Sequence, residues 1–200
     1  MRFLGLFIII CSILSLLRKK HTKRQNNISD KFWEKERIAN QTRRQDISDL
    51  PYITIPLEKF PIGILENDTI KECENTLSEL SEKRILNLGT QTNTDLKLAY
   101  GSANLSSLTE YEQNFTTLCQ TLVTYASALL SEEQPSSAQT VLEYGISIGS
   151  DVSQNFLLLA DIYKSQGAVG KIEELIATAE QLDSLMKHSI LEKLNQKLEE

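Results

Sequence analysis

No lysine or arginine occurs between Lys97 and Lys164, although Glu110, Glu112, Glu132, Glu133, Glu143, Asp151 and Asp161 all fall there. A nucleic-acid surface needs clustered basic side chains, so that stretch cannot supply one, and no nucleic-acid partner is expected. Histidine is almost missing. His21 lies in a basic stretch and His188 at a polar helix boundary, and neither has a Ser or Cys elbow nearby or a second ligand at metal spacing. The three cysteines, Cys11, Cys73 and Cys119, form an odd set without a CxxC pair, which speaks against a disulfide framework or a zinc site. Cys73 and Cys119 fall on apolar helix faces, where a buried reduced thiol is the usual state. No glycine-rich phosphate loop is present, and the acid pairs Glu132–Glu133 and Glu173–Glu174 have the spacing of solvated helix faces. These absences predict a protein that is not an enzyme, with no catalytic residues, no cofactor and no metal. Proline and glycine are scarce, four and eight in 200 residues, with long runs free of both, so an all-α chain is expected. Five Asn-x-Ser/Thr matches, at Asn27, Asn40, Asn67, Asn104 and Asn114, are chance occurrences outside a lumenal setting.

What is present begins with an uncharged apolar run from Phe3 to Leu17. Counted from Met1 it reaches the short end of what spans a bilayer as a helix, about 17 residues. Only Arg2 precedes it, whereas Arg18, Lys19, Lys20, Lys23 and Arg24 follow, and no small-residue cleavage pattern appears. That charge bias predicts an uncleaved single-pass anchor over 1–17 with the remainder on the cytoplasmic side of the cell membrane. The same five basic side chains are the candidate contact with anionic headgroups, each worth about 1 kcal/mol near the surface. The chain is polarised: residues 1–47 carry eleven Lys and Arg against four Asp and Glu, and residues 48–200 carry ten against twenty-three. The two ends are suited to different partners.

Between anchor and body, 18–66 reads as a basic juxtamembrane segment followed by an extended strap. Asp30 to Asp46 can form a helix but has little to bury beyond Phe32, Trp33 and Ile38. Prolines 51, 56 and 61 then keep Asp49 to Gly63 extended. Tyr52, Ile53, Ile55, Leu57, Phe60 and Ile62 make this strap too apolar for a free linker, so it docks either on its own helical domain or on a partner. Residues 67–200 are the helical body. Asn67 or Asp68 can cap a helix whose Ile70, Cys73, Leu77 and Leu80 recur at spacings of three and four, with Lys83 and Arg84 near its end to complement the dipole. A short helix through Leu96 and Ala99 stops at Gly101, and a long one starts near Leu105.

From there the pattern repeats. Ala126 and Ala160, Leu142 and Ile176, and Gly145 and Ala179 are matched pairs, each separated by the period of a helix-turn-helix solenoid unit, about 34 residues. The small side chains let paired helices approach to the short end of the ~8–10 Å packing range. Units of about 119–152 and 153–186 follow, with a capping helix over 183–200 that Asp183 could cap and that turns Leu185, Met186, Ile190, Leu194 and Leu198 inward. With Phe156, Leu159, Ala160, Tyr163, Gly167, Ile176 and Ala179 in the second unit, and Leu122, Tyr125, Ala126, Leu129, Ala138, Leu142 and Gly145 in the first, these residues resemble the tetratricopeptide repeat family. Two positions depart from its pattern: Ile172 stands where a small residue is preferred, and Glu133 where glycine turns the chain. The chain is also similar to membrane-anchored proteins of clostridial bacteria, a likeness that carries no activity with it.

The family resemblance implies a short α-helical solenoid in which the first helix of each repeat lines a peptide-holding groove. Carried over, the groove positions are Gln120, Val123, Ser127 and Leu130, then Gln154, Leu157, Asp161 and Lys164. The subtype that grips a terminal carboxylate is not expected, since its basic clamp residues are missing. Taken together, the sequence predicts a membrane-anchored protein-interaction scaffold or adaptor. Its partner would be a basic or neutral protein or peptide, because the acidic excess repels acidic chains. The alternative is a structural subunit of a membrane assembly that self-associates into a homo-oligomer through the strap or the last helix; an enzyme is the third and least favoured reading.

Overall fold

Regular structure among the described residues is helical throughout, as a chain poor in glycine and proline predicts. The computed structural model describes residues 29–199, so the expected anchor (1–17) and the basic cluster Arg18, Lys19, Lys20, Lys23 and Arg24 lie outside the described residues. Among the described residues no helix is long and apolar enough to cross a membrane. In chain order the helices are α1 (29–41), α2 (Asp68–Ser81), α3 (Asn93–Tyr100), α4 (Leu105–Ser131), α5 (Pro135–Ser147), α6 (Ser153–Ser165), α7 (Val169–Glu180) and α8 (Lys187–Glu199). They fall into two compact units, one of 29–46 with Thr92–Leu105, the other of Ile47–Gln91 with 106–199.

The first unit is α1 against α3. Thr92 and Asp95 form a capping box that starts α3 two residues before the polar run ends, earlier than the periodicity alone suggests. Lys35 Nζ donates to Asp95 Oδ1 at 2.7 Å, Thr94 Oγ1 donates to Glu36 at 2.7 Å, and Lys97 pairs with the same Glu36 carboxylate. Asn104 closes the unit, its amide donating to the carbonyls of Gln45 (2.8 Å) and Tyr100 (2.7 Å) while its Oδ1 accepts from Arg44 Nε. Gly101 has φ 87 and sits so close to Arg43 that a Cβ would overlap its backbone, so glycine is required there twice over. Linear reading attached α3 to the helical body. Long-range polar pairs, which leave no local pattern, attach it instead to residues 29–46.

The Lys35 ammonium, and after it the Thr92 hydroxyl and backbone, hold the Asp95 carboxyl down from its ordinary 3.8 to about 2. Glu36 moves the same way, chiefly through Lys97 and then Thr94. A carboxylate depressed in the folded state adds stability above its unfolded value and loses it as pH falls through the folded one. The α1–α3 contact should therefore loosen between about pH 4 and pH 2. Trp33 on α1 is the chain's one tryptophan, so its emission anisotropy followed against pH reads this step directly. Asp95→Asn should flatten the step, and an unchanged curve would show that the pair does not hold α1.

The second unit carries the core. Asn67 is the cap of α2, its Oδ1 accepting from the backbone of Thr69 (2.9 Å) and Ile70 (3.3 Å), and Ile70, Cys73, Leu77 and Leu80 are buried as their spacing predicts. Lys83 and Arg84 fall beyond its end. Arg84 instead stacks over the rings of Tyr52 and Tyr111, 5.2 and 6.0 Å from their centroids. Leu118, Leu122, Tyr125, Ala126 and Leu129 of α4 pack with Ala138, Val141 and Leu142 of α5, Phe156, Leu159 and Ala160 of α6, and Ile172, Leu175 and Ala179 of α7. Asn155 at the start of α6 donates to Leu142 O, and Gln166 just past its end donates to Gln139 near the start of α5, so the two helices run antiparallel. The small residue at Gly145 has a stated use: a Cβ there would sit 2.5 Å from Asn155 Oδ1.

The turns repeat as the helices do. After α4, Glu133 N donates to Leu130 O and Gln134 N to Leu129 O; after α6, Gly167 N donates to Lys164 O and Ala168 N to Tyr163 O. Both are Schellman closures whose central residue is left-handed, Glu133 at φ 57 and Gly167 at φ 68, one repeat period apart. Gln134 and Ala168, next along, share ψ near 60. Replacing Glu133 by glycine removes the steric cost of a Cβ in that region, which exceeds the ~0.4–1 kcal/mol entropic cost of glycine. The melting temperature should rise by about 2–4 °C for roughly 1 kcal/mol at this size. A fall would mean that the Glu133 side chain holds the turn by contacts of its own.

The helix after α7 starts later than predicted. α8 begins at Lys187, one repeat period after the start of α6 at Ser153, has the same length as α6, and packs on both α6 and α7. Ile190 and Leu194 are buried, but Leu185 is 98% exposed and Met186 43%. Asp183 does not cap α8; its carboxylate accepts a 2.8 Å hydrogen bond from Thr90. A residue distant in sequence claims Asp183, and the 182–186 segment becomes a loop.

Candidate functional site

The strap is docked within its own unit, the first of the two placements the sequence left open. Ile55 and Phe60 are buried in the core, with Ile53 and Leu57 packed against it. Ile53 N donates to Ile85 O at 2.9 Å, and Tyr144 Oη donates to Thr54 O at 3.0 Å. Phe60 meets the Tyr144 ring edge-on at 5.4 Å, and Tyr52 meets Tyr111 at 5.7 Å. Its end is latched by α2 and α4: Gly63 N donates to Glu74 Oε1 at 3.0 Å, while Tyr125 Oη lies 3.1 Å from Pro61 O and 3.2 Å from Glu74 Oε1. Burial first, then the Glu74 charge, pushes the Tyr125 hydroxyl up in pKa, which keeps it a neutral donor. Nothing in the sequence singles out Glu74, because one buried acid among exposed ones on a helix leaves no periodic trace.

The eight groove positions divide into two sets. On α4, Gln120 and Ser127 are exposed and Val123 and Leu130 half-buried, following one another along a single stripe. On α6, Gln154, Asp161 and Lys164 are exposed and Leu157 is half-buried, but α8 reaches Asp161 and Lys164. Lys197 pairs with Asp161, and Lys164 Nζ donates to Lys197 O at 3.2 Å. Asp161 and Lys164 are thus engaged by the chain itself, while Gln120 and Ser127 of the α4 stripe stay exposed.

Continued toward the start of α4, that stripe reaches Thr116 and Glu112, which line a half-open cleft of about 640 Å³. Its other walls are Asn87, Gly89 and Thr90, the α5–α6 turn at Gly149 and Asp151, and the 181–186 loop, with Phe115, Leu182 and Met186 supplying apolar surface. Three carboxylates line it, Glu112, Asp151 and Asp183, and among the described residues no basic side chain does. Hydrogen bonds set the walls: Ser184 Oγ donates to Asp151 at 2.5 Å, Thr90 Oγ1 to Asp183 at 2.8 Å, and Asn87 Nδ2 to Gly149 O at 3.3 Å. Gly149, at φ 80, is the left-handed residue that lets the α5–α6 turn come up to Asn87. Such a mouth suits a cationic or neutral group with an apolar stem. Glu112 and Asp151 were visible in the sequence only as members of the stretch without basic residues; the 87–90 wall, far away in sequence, was not.

Among the described residues no group of three His, Cys, Asp or Glu side chains could hold a metal ion. Cys73 and Cys119 are free and buried, and burial pushes the Cys119 thiol up to about 11, an unreactive setting. No family model, no curated protein and no solved structure matches the chain.

Proposed function

We propose that the chain is a single-pass membrane protein whose cytoplasmic domain, a helical solenoid of tetratricopeptide type, holds a basic or neutral protein at the membrane. The observation that carries this reading is the acidic cleft continuous with the α4 stripe Thr116, Gln120, Val123, Ser127 and Leu130. Support for the repeat assignment comes from the two equivalent Schellman turns and from the spacing of α6 and α8, all recurring at the solenoid period. Support for the tether comes from the apolar run 3–17 and the basic residues after it.

The test is capture of proteins by the full chain in lipid nanodiscs at low and high salt, with Glu112→Lys alongside. Basic proteins should be retained at low salt and released at high salt. Glu112→Lys should weaken retention of a purified partner by about tenfold, roughly 1.4 kcal/mol. Retention of acidic proteins alone, or a Glu112→Lys protein that binds as before, would overturn the reading. The second reading, self-association, is favoured by the near-complete exposure of Leu185 beside Met186. Light scattering that stays monomeric across concentration would remove it.

A further inference from the structure

Phe32 and Trp33 are 51% and 64% exposed, stacked edge-to-face with centroids 5.4 Å apart. Farther along α1, Lys35 and Glu36 are held by Asp95, Thr94 and Lys97 of α3 and Ala39 is fully buried, while Ile38 is exposed without a ring beside it. Phe32 stands one turn before Glu36, so the exposed aromatic pair lies in the first turn of α1. Two adjoining exposed aromatics are not required by the fold of this unit and leave apolar area in water.

From the residues that come before them, we infer that Phe32 and Trp33 seat this end of α1 in the headgroup region of the bilayer that holds the tether. The inference rests on the membrane tether of the proposed function. Only a short connection separates Arg24, the last of the basic cluster, from the start of α1 at 29. At about 3.3–3.6 Å per residue that connection spans at most about 18 Å. With the basic side chains on anionic headgroups, the α1 end cannot stand far from the lipid surface. Tryptophan, with an apolar ring and one N–H donor, is the side chain best matched to that interface. Lys31 beside the pair is offset by Asp30 and Glu34, so the rings themselves and not local charge seat this end. The first unit is then fixed close to the membrane instead of swinging on a loose linker.

Trp33 is the only tryptophan, so its emission is a one-site probe. The full chain is reconstituted into vesicles of phosphatidylcholine and phosphatidylglycerol, ordinary or carrying brominated acyl chains, and tested for flotation, for quenching by lipid bromine and for quenching by aqueous iodide. The expected result is flotation with Trp33 quenched more by bromine near the glycerol end of the chains than near the methyl end, and shielded from iodide. Phe32→Ser should reduce the bromine quenching without reducing flotation. Flotation with Trp33 open to iodide and insensitive to bromine overturns the inference and leaves the tether standing. Failure to float overturns the tether and the inference together. Shielding from iodide that disappears on diluting the protein among lipid assigns the pair to a second copy of the chain and also overturns it.

Discussion

Phe156→Ala is expected to lower the stability of the second unit by about 3–5 kcal/mol, the range for removing a fully buried aromatic ring. Phe156 has no exposed surface, and its helix, α6, is packed by α5, α7 and α8. Side chains of α6 also tie it to its neighbours, Asn155 to Leu142 O, Tyr163 to Glu143 and Asp161 to Lys197. A site so constrained cannot collapse to fill the space, which places the cost toward the upper part of the range. Against a typical total of about 5–15 kcal/mol, this removes a large share of the margin. Urea unfolding followed by far-ultraviolet circular dichroism should show a lower midpoint with an unchanged slope, the signature of lost stability without a change in surface exposed. A loss below about 1 kcal/mol, the centre of the distribution for ordinary substitutions, would mean that α6 is not the middle of the packing.

Phe60→Ala should release the strap. Phe60 is 6% exposed and belongs to the core of the second unit, and its ring braces Tyr144, whose hydroxyl in turn holds Thr54 O. Losing it costs about 3–5 kcal/mol if the strap stays in place and the cavity persists. The strap can lower that cost by detaching, because it has only the short 3-10 turn Leu57–Lys59 of its own. Trypsin then becomes the informative reagent, since Lys59 lies next to the substitution. Cleavage after Lys59 should accelerate well before global unfolding, the behaviour of a locally opening segment. Were the strap a partner-binding segment only resting on the domain, neither stability nor cleavage would change. Tyr125→Phe examines the other end: it removes a hydroxyl shared by Pro61 O and Glu74 and should accelerate the same cleavage to a smaller extent.

These two substitutions touch elements that differ in how far the sequence foretold them. The burial of Phe156 followed from its spacing to Leu159, Ala160 and Tyr163, a repeating local pattern. The strap was legible as extended and as too apolar to be free, but its partners were not, because Ile85, Tyr125 and Tyr144 lie far along the chain from the strap groups they bind. The candidate site divides the same way. The α4 stripe is a surface helix pattern, whereas the engagement of Asp161 and Lys164 by Lys197 and the wall at 87–90 depend on contacts across the fold.

What the sequence determined by itself is local: helices where apolar residues recur every three or four positions, an α2 cap at Asn67 or Asp68, reversals where glycine tolerates positive φ, and close helix approach at Gly145 and Ala160. It also determined the polarity of the chain, with basic residues near one end and none between Lys97 and Lys164. Only the tertiary structure decided that Glu74 is a buried latch, that α3 belongs with 29–46, that Asp183 serves Thr90 instead of α8, and that Glu112, Asp151 and Asp183 share one cleft. The physical reason is that backbone geometry and hydrophobic periodicity act over a few residues and are written in the order of the chain. A polar side chain's partner is whichever group packing brings within about 3 Å, and no short pattern records that choice.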